Sequence, residues 1–156
     1  MRYPGEDIRA GQTVLTAGHV IRPQEIGVLA SLGGERVTVV RRPRVGVLAT
    51  GDELIDVGAP LMPGKIRNSN GYAQAAQVRA LGGEALALGV AGDREDDVRA
   101  RLDAGVAAGV DLLVSSAGVS VGAYDVVKAV LEAAGGVAFW RVRMRPGKPL
   151  AFGAYR

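Results

Sequence analysis

Apolar residues fall along this chain in short runs, each closed by glycine and separated by stretches with helical spacing. Residues 45–50 (VGVLAT) stop at Gly51-Asp52, residues 84–90 (EALALGV) stop at Gly92-Asp93, and residues 111–115 (DLLVS) run into SAGVSVG. Runs of this length between glycine punctuation predict strands buried on both faces, as in a parallel sheet. The intervening stretches predict helices. Residues 70–81 follow the capping residues Ser69 and Asn70 and end before Gly82-Gly83. Residues 94–108 follow Asp93 as an N-cap, with Val98, Leu102 and Val106 as a buried stripe and acids crowding the first turn, where the helix dipole favours them. Residues 124–134 place Val127, Val130, Leu131 and Ala134 on one face and stop at Gly135-Gly136. A fourth strand, 137–145, runs into RPGKP, and a last short one covers 150–154. Alternating strands and helices predict an α/β fold with a largely parallel sheet and right-handed crossovers.

The first 41 residues read differently. Residues 13–16 and 20–21 predict a hairpin around Ala17-Gly18, and Pro23 opens a helix that Gly33-Gly34 ends. Residues 36–40 (RVTVV) predict one more strand, and 41–44 a basic, proline-containing linker. Residues 1–41 therefore form a small α+β module too short to hold a core alone, beside an α/β domain over 42–156.

Composition removes whole classes of function. Cysteine is absent and there is one histidine, which excludes disulfide scaffolds, thiolate metal clusters and histidine-rich metal sites. Nineteen Lys and Arg against sixteen Asp and Glu give a net charge of +3, too even to argue for nucleic acid. With one Trp, four Tyr and two Phe, the chain also lacks a platform for stacking bases. No apolar run is long enough to span a membrane, and the charged start MRYPGEDIRAG is unlike a signal peptide. These features predict a soluble cytoplasmic protein. Glycine is the unusual count: 23 of 156 residues, about twice the usual ~7%. Much of it sits beside apolar runs, which marks functional loops.

In open parallel sheets, ligands bind outside the carboxyl ends of the strands. Four polar or glycine-rich segments follow the predicted strands there: TGDEL at 50–54, AGDRED at 91–96, SSAGVSVGAYD at 115–125 and RPGKP at 145–149. In the third, Gly118 and Gly122 expose backbone N–H groups, Ser115, Ser116 and Ser120 add hydroxyls, and a helix follows, the makings of a phosphate nest. It fits neither G-x-x-x-x-G-K-[ST] nor G-x-G-x-x-G, and a plain glycine turn is the alternative. Asp52, Glu53, Asp93 and Asp125 each follow a strand end closely, and four carboxylates on one rim would suit Mg²⁺. Helix capping alone would also explain Asp93 and Asp125. Arg145 and Lys148 bracket Pro146-Gly147 as a stiff cationic clamp for an oxyanion, or belong to a solvated edge with Arg141 and Arg143. His19 reads as structural or exposed, and Phe139 and Trp140 as core.

Together these segments form an ordered series. T-G-D-E-L (50–54), G-x-I-R-x-S-N (64–70), L-G-V-x-x-D (88–93), S-x-G-V-S-V-G-x-x-D (116–125) and M-R-P-G-K-P-L-A-F-G (144–153) resemble the molybdopterin molybdenumtransferases, the MoeA-type molybdenum insertases that include the gephyrin E domain. G-E-D-I-x-x-G (5–11) and L-x-A-G-x-x-I (15–21) resemble the stretch leading into that domain. The resemblance implies a three-layer αβα sandwich over 42–156, shared with the adenylyltransferase of the same pathway. It implies binding of adenylylated molybdopterin and molybdate, cleavage of the adenylyl phosphate with Mg²⁺, release of AMP, and insertion of molybdenum. The longer family members imply a homodimer and contact with the adenylyltransferase.

Carried over by motif, Asp52, Glu53, Asp93, Asp125 and Lys148 take catalytic roles, with Glu53, Asp93 and Asp125 toward the metal. Thr50, Gly51, Asn70, Ser115, Ser116, Gly118, Ser120, Gly122 and Arg145 take binding roles. Three positions depart from the family pattern: Ala117 replaces a glycine of the phosphate loop, Asn68 an aspartate and Arg145 a lysine. The family's upstream domain, its P-G-N-P loop and its C-terminal β-domain have no counterpart in these residues, so weak or absent activity of the chain alone is expected. A molybdopterin adenylyltransferase and a non-catalytic scaffold domain are the competing readings.

Overall fold

The computed structural model describes residues 3–116, 126–134, 136–141, 143 and 149–155. The chain divides into two compact units, Met1–Val40 and Arg41–Arg156. The first contains one helix, α1 (Pro23–Ser31), and its described residues bury no apolar side chain. Its one buried residue is Glu25, which accepts from Arg22 N, Nε and Nη2 at 2.9, 3.1 and 2.7 Å, with His19 Nε2 at 3.5 Å. The Arg22 guanidinium holds this carboxyl at about 2, well below the usual range. The expected hairpin is reduced to its turn. His19 N donates to Thr16 O at 3.2 Å, but residues 13–16 and 20–21 form no ladder. Residues 36–40 are exposed and not a strand, because the described residues of this unit offer no partner strand and a lone strand has nowhere to place its backbone donors.

The second unit is built on three parallel strands in the order β4-β1-β5: β1 (Arg44–Thr50) lies between β4 (Glu84–Ala91) and β5 (Leu112–Ser115). Two residue pairs, β2 (Leu54–Ile55) and β3 (Ile66–Arg67), form a small parallel ladder that the alternation of the sequence does not show. Helices α2 (Ser69–Ala80), α3 (Glu95–Ala107) and α4 (Val126–Ala133) fall within two residues of their expected bounds, α2 from its caps and α3 and α4 from their apolar stripes. Gly46 and Leu48 face α3, in a core with Leu88, Val98, Leu102, Val127 and Val130. Alternation sends Val45, Val47 and Ala49 to the other face, where α2 packs with Ala75. Helices therefore cover both faces of the sheet, the expected αβα layering.

The α3 contact is set by an absence of side chains. A Cβ on Gly46 or on Gly105 would lie 3.0 Å from Leu88 Cδ1 and Leu113 Cδ2, so the two glycines let helix and strand close on the leucines between them. The predicted stripe shifts accordingly. Val98, Leu102 and Gly105 are buried and Val106 is half-exposed. Seven residues carry an α-helix almost back to its starting azimuth, whereas eight overshoot by about 80°.

Two expectations are corrected. Residues 137–145 do not extend the parallel sheet. Instead β6 (Val137–Arg141) pairs antiparallel with β7 (Pro149–Gly153) in a separate ribbon. The short stretch 142–148 can reverse the chain but cannot make the crossover of a dozen or more residues that a parallel neighbour requires. In addition, α3 is capped at Arg94, with no side-chain cap bond, and α2 at Asn68, whose Oδ1 accepts from Gly71 N at 2.9 Å. Asp93 is therefore not the α3 cap, and Ser69 and Asn70 lie inside the first turn of α2.

At the amino end of the sheet, Asp111 joins β5 to the segment entering β1. Its carboxylate accepts from the Arg41 guanidinium and, at 2.8 Å, from Arg44 N, while its own N–H donates to Arg44 O at 2.8 Å. Arg41 chiefly holds this carboxyl at about 2. A carboxylate with a depressed native pKa contributes stability above its unfolded value of ~3.9 and loses it as pH falls toward the native value. Urea melts of wild type and Asp111→Asn should therefore differ by a constant amount above about pH 4 and converge toward pH 2. Leu48, 1% exposed in the core, gives the packing test: Leu48→Ala should cost ~2–5 kcal/mol in urea unfolding with an unchanged slope.

Candidate functional site

The strand order places the carboxyl end of β1 at a change of direction. The connection leaving β1 passes through α2 on one face, while those leaving β4 and β5 lead to α3 and α4, which pack together on the other. Neighbouring loops part around β1, and this is where open α/β sheets leave a crevice. Ladder bonds align the three ends: Gly51 N donates to Ala91 O at 3.0 Å and Ser116 N to Leu48 O at 3.4 Å. Thr50, Gly51, Asp52, Gly92, Asp93, Ser115 and Ser116 are thereby gathered on one rim.

Asp52 and Asp93 cross between adjacent strand ends. Asp93 N donates to Asp52 Oδ1 at 3.1 Å, and Asp52 N lies 3.4 Å from Asp93 Oδ2. Each acid thus uses one oxygen on the other's backbone. Asp52 Oδ2 and Asp93 Oδ1 have no partner among the described residues. Gly92 is required between them, since a Cβ there would lie 2.8 Å from Asp52 Oδ1. Its N–H donates to Asp97 Oδ2 at 2.7 Å, so an acid in the first turn of α3 holds the turn that carries Asp93.

Gly51 has φ +139°, a conformation suited to glycine, and a Cβ there would collide with the Glu53 carboxylate, which folds back over it. Among the described residues, no group of three acids or histidines is arranged to hold a metal ion. Thr50 is buried, Ser115 and Ser116 are half-buried, and Asn70 is exposed on the first turn of α2. Gly118, Ser120, Gly122, Asp125, Arg145 and Lys148, with Ala117, lie outside the described residues. None of the described helices is long and apolar enough to cross a membrane.

Several contacts escape sequence reading. Lys65 Nζ donates to Asp52 O at 2.5 Å, Tyr72 Oη to Asp56 Oδ1 at 2.7 Å, and Arg67 Nε to Val57 O at 3.2 Å. The Tyr72 hydroxyl lowers the Asp56 pKa, and the same bond raises that of Tyr72. Lys65 and Arg67 reach their partners through the β2–β3 pair, which is too short to leave a periodic signal. Asp97 was readable only as one of several first-turn acids.

Comparison with known proteins gives the same frame. Residues 1–33 match the family described as the MoeA N-terminal region (domain I and II). The chain is 42% identical over 153 residues to a molybdopterin molybdenumtransferase of Haemophilus influenzae, covering 98% of this chain and 38% of that protein. It is 43% identical over 144 residues to the Bacillus subtilis protein of the same name, covering 92% and 33%. A crystal structure of a molybdopterin biosynthesis MoeA protein from Pyrococcus horikoshii superposes with a TM-score of 0.82 at 32% identity, over 97% of this chain and 37% of that one. The chain therefore spans between a third and two fifths of the length of these relatives. Residues 46–155, the unit that carries the acid rim, match the probable molybdopterin binding domain, and the chain belongs to that family.

Proposed function

We propose that this chain acts in molybdenum cofactor biosynthesis by binding adenylylated molybdopterin and molybdate at the rim formed by the ends of β1, β4 and β5. The observation that carries the reading is the Asp52–Asp93 crossing, with one carboxylate oxygen on each acid that has no partner among the described residues, at the ligand-binding end of a molybdopterin-binding-family sheet. Ser115 and Ser116 begin the loop that would cradle the pterin phosphate, continued by Gly118, Ser120 and Gly122, while Thr50, Gly51 and Asn70 line the opposite lip. Lys148 and Arg145 would meet the molybdate. The match of residues 1–33 favours the molybdenum insertase over the adenylyltransferase of the same fold. Insertion of molybdenum with release of AMP, assembly as a homodimer, receipt of ligand from the adenylyltransferase and a cytoplasmic setting belong to the same reading.

Mg²⁺ fits the donors present. It is commonly held by one or two carboxylates together with water and substrate phosphates, and two hard oxygens on neighbouring turns, unpartnered among the described residues, meet that need. Asp93, with Glu53 and Asp125, would hold it, and Asp52 lies beside Asp93. When bound, it would neutralise charge on the phosphate oxygens. The protein's own part is to hold the carboxylates at fixed spacing.

Calorimetry with adenylylated molybdopterin tests the reading: saturable heat is expected, and none at high micromolar protein would refute it. Asp93→Asn retains an oxygen for Asp52 N while removing a charge. Mg²⁺ dependence of binding should be lost, with the melting temperature changed by less than about 2 °C. Lys148→Ala should weaken molybdate binding by about 10- to 150-fold with pterin already present, the value of a charged hydrogen bond of ~1.5–3 kcal/mol. Equal titrations of wild type and variant would remove Lys148 from the site.

A further inference from the structure

We propose that Lys65 is the positioning residue of the acid pair: its ammonium, on the Asp52 carbonyl oxygen, holds the 51–53 turn against Asp93 and ties the loop 56–64 to it. The identity of the ligand rests on the function proposed above, but the geometry of the tether does not. Lys65 is half-buried and its Nζ donates to Asp52 O at 2.5 Å. Its stem leaves from the residue before β3, and that position is fixed by Ile66 N donating to Glu53 O and Asn68 N donating to Ile55 O, both at 2.9 Å.

Every backbone polar group of Asp52 is then engaged. Its N–H faces Asp93 Oδ2, its carbonyl takes Lys65, and Oδ1 takes Asp93 N. Its remaining oxygen, Oδ2, which has no partner among the described residues, is held in one place. The charge of Lys65 matters as well as its reach. Asp52, Glu53 and Asp93 crowd two adjacent turns, and like charges in close turns push apart unless a cation sits among them. Among the described residues, Lys65 is the cation bonded to these turns. The far side of the loop is held by Tyr72 on Asp56 and Arg67 on Val57 O, so Lys65 links a loop already fixed elsewhere to the acids. It is not part of the core cluster, so its loss should loosen the rim and leave the fold intact.

The test compares wild type, Lys65→Met and Lys65→Arg in the whole chain by amide hydrogen exchange and by calorimetry with adenylylated molybdopterin. Lys65→Met keeps the apolar stem and removes the ammonium. It should speed exchange of the Asp93 N–H about tenfold while Val47 and Leu48 keep their protection and the melting temperature moves by less than about 2 °C. Ligand affinity should fall about three- to tenfold, and Lys65→Arg should restore both readouts to within about twofold. Unchanged Asp93 exchange in Lys65→Met, equal acceleration along β1, or ligand affinity equal to wild type would each overturn the proposal. If wild type fails to bind the ligand, the proposed function falls, and the exchange comparison alone decides the role of Lys65.

Discussion

The second unit depends on how closely α3 can approach the centre of the sheet. β1 is flanked by a strand on each side and covered by a helix on each face, so six of its seven residues are buried. Gly46 on the strand and Gly105 on the helix leave only the tips of Leu88 and Leu113 between them. Because those leucines come from β4 and β5, one close contact locks all three strands and the helix in register. Interiors packed at this density deform little, so the strand ends are held to the same precision as the core beneath them.

That rigidity is what the acid rim needs. Two carboxylates on neighbouring turns repel, and a flexible turn would let them separate. Here each is bonded to the other's backbone, Asp97 holds the Gly92 turn from α3, and Lys65 holds the Asp52 carbonyl from just before β3. The site is thus braced by elements on both sides of the strand ends. At the opposite edge, β4 carries an irregularity at Gly89, where the register to β1 shifts, and Arg101 Nη1 donates to Leu88 O at 2.9 Å. A bulge and an arginine on a carbonyl blunt an otherwise regular outer strand.

The first unit shows the contrast. It has local structure without a core: a helix started by Pro23, a charge cluster around Glu25, and Ile26, Leu32, Val37, Val39 and Val40 exposed. Below about 40 residues, apolar burial seldom offsets the entropy of ordering the chain. What orders this unit is hydrogen bonding at a helix start.

Much of the α/β architecture was legible in the sequence. Short apolar runs closed by glycine mark β1, β4 and β5, an apolar stripe marks α3 and α4, and capping residues with a glycine stop mark α2, so all six were placed within a few residues, although only β1 is buried on both faces. The candidate rim followed from a general rule about carboxyl ends, and Asp52 and Asp93 stood out because each lies two residues beyond a strand end. Other features depended on partners far away in sequence. Whether 137–141 pairs parallel or antiparallel depends on the reach of a connection, and whether 36–40 is a strand depends on a neighbour being present. Gly105 replaces Val106 in the core because the opposing surface is a glycine on a strand some sixty residues earlier. Asp93 is not a helix cap because Asp52 is close enough to claim it, and Lys65 reaches the rim through a two-residue ladder that no periodicity reveals. The sequence by itself determined which segments are strands and helices and which polar residues end them, since those follow from local period and punctuation. Only the tertiary structure decided which side chain meets which, because that depends on close contacts between residues the chain holds far apart.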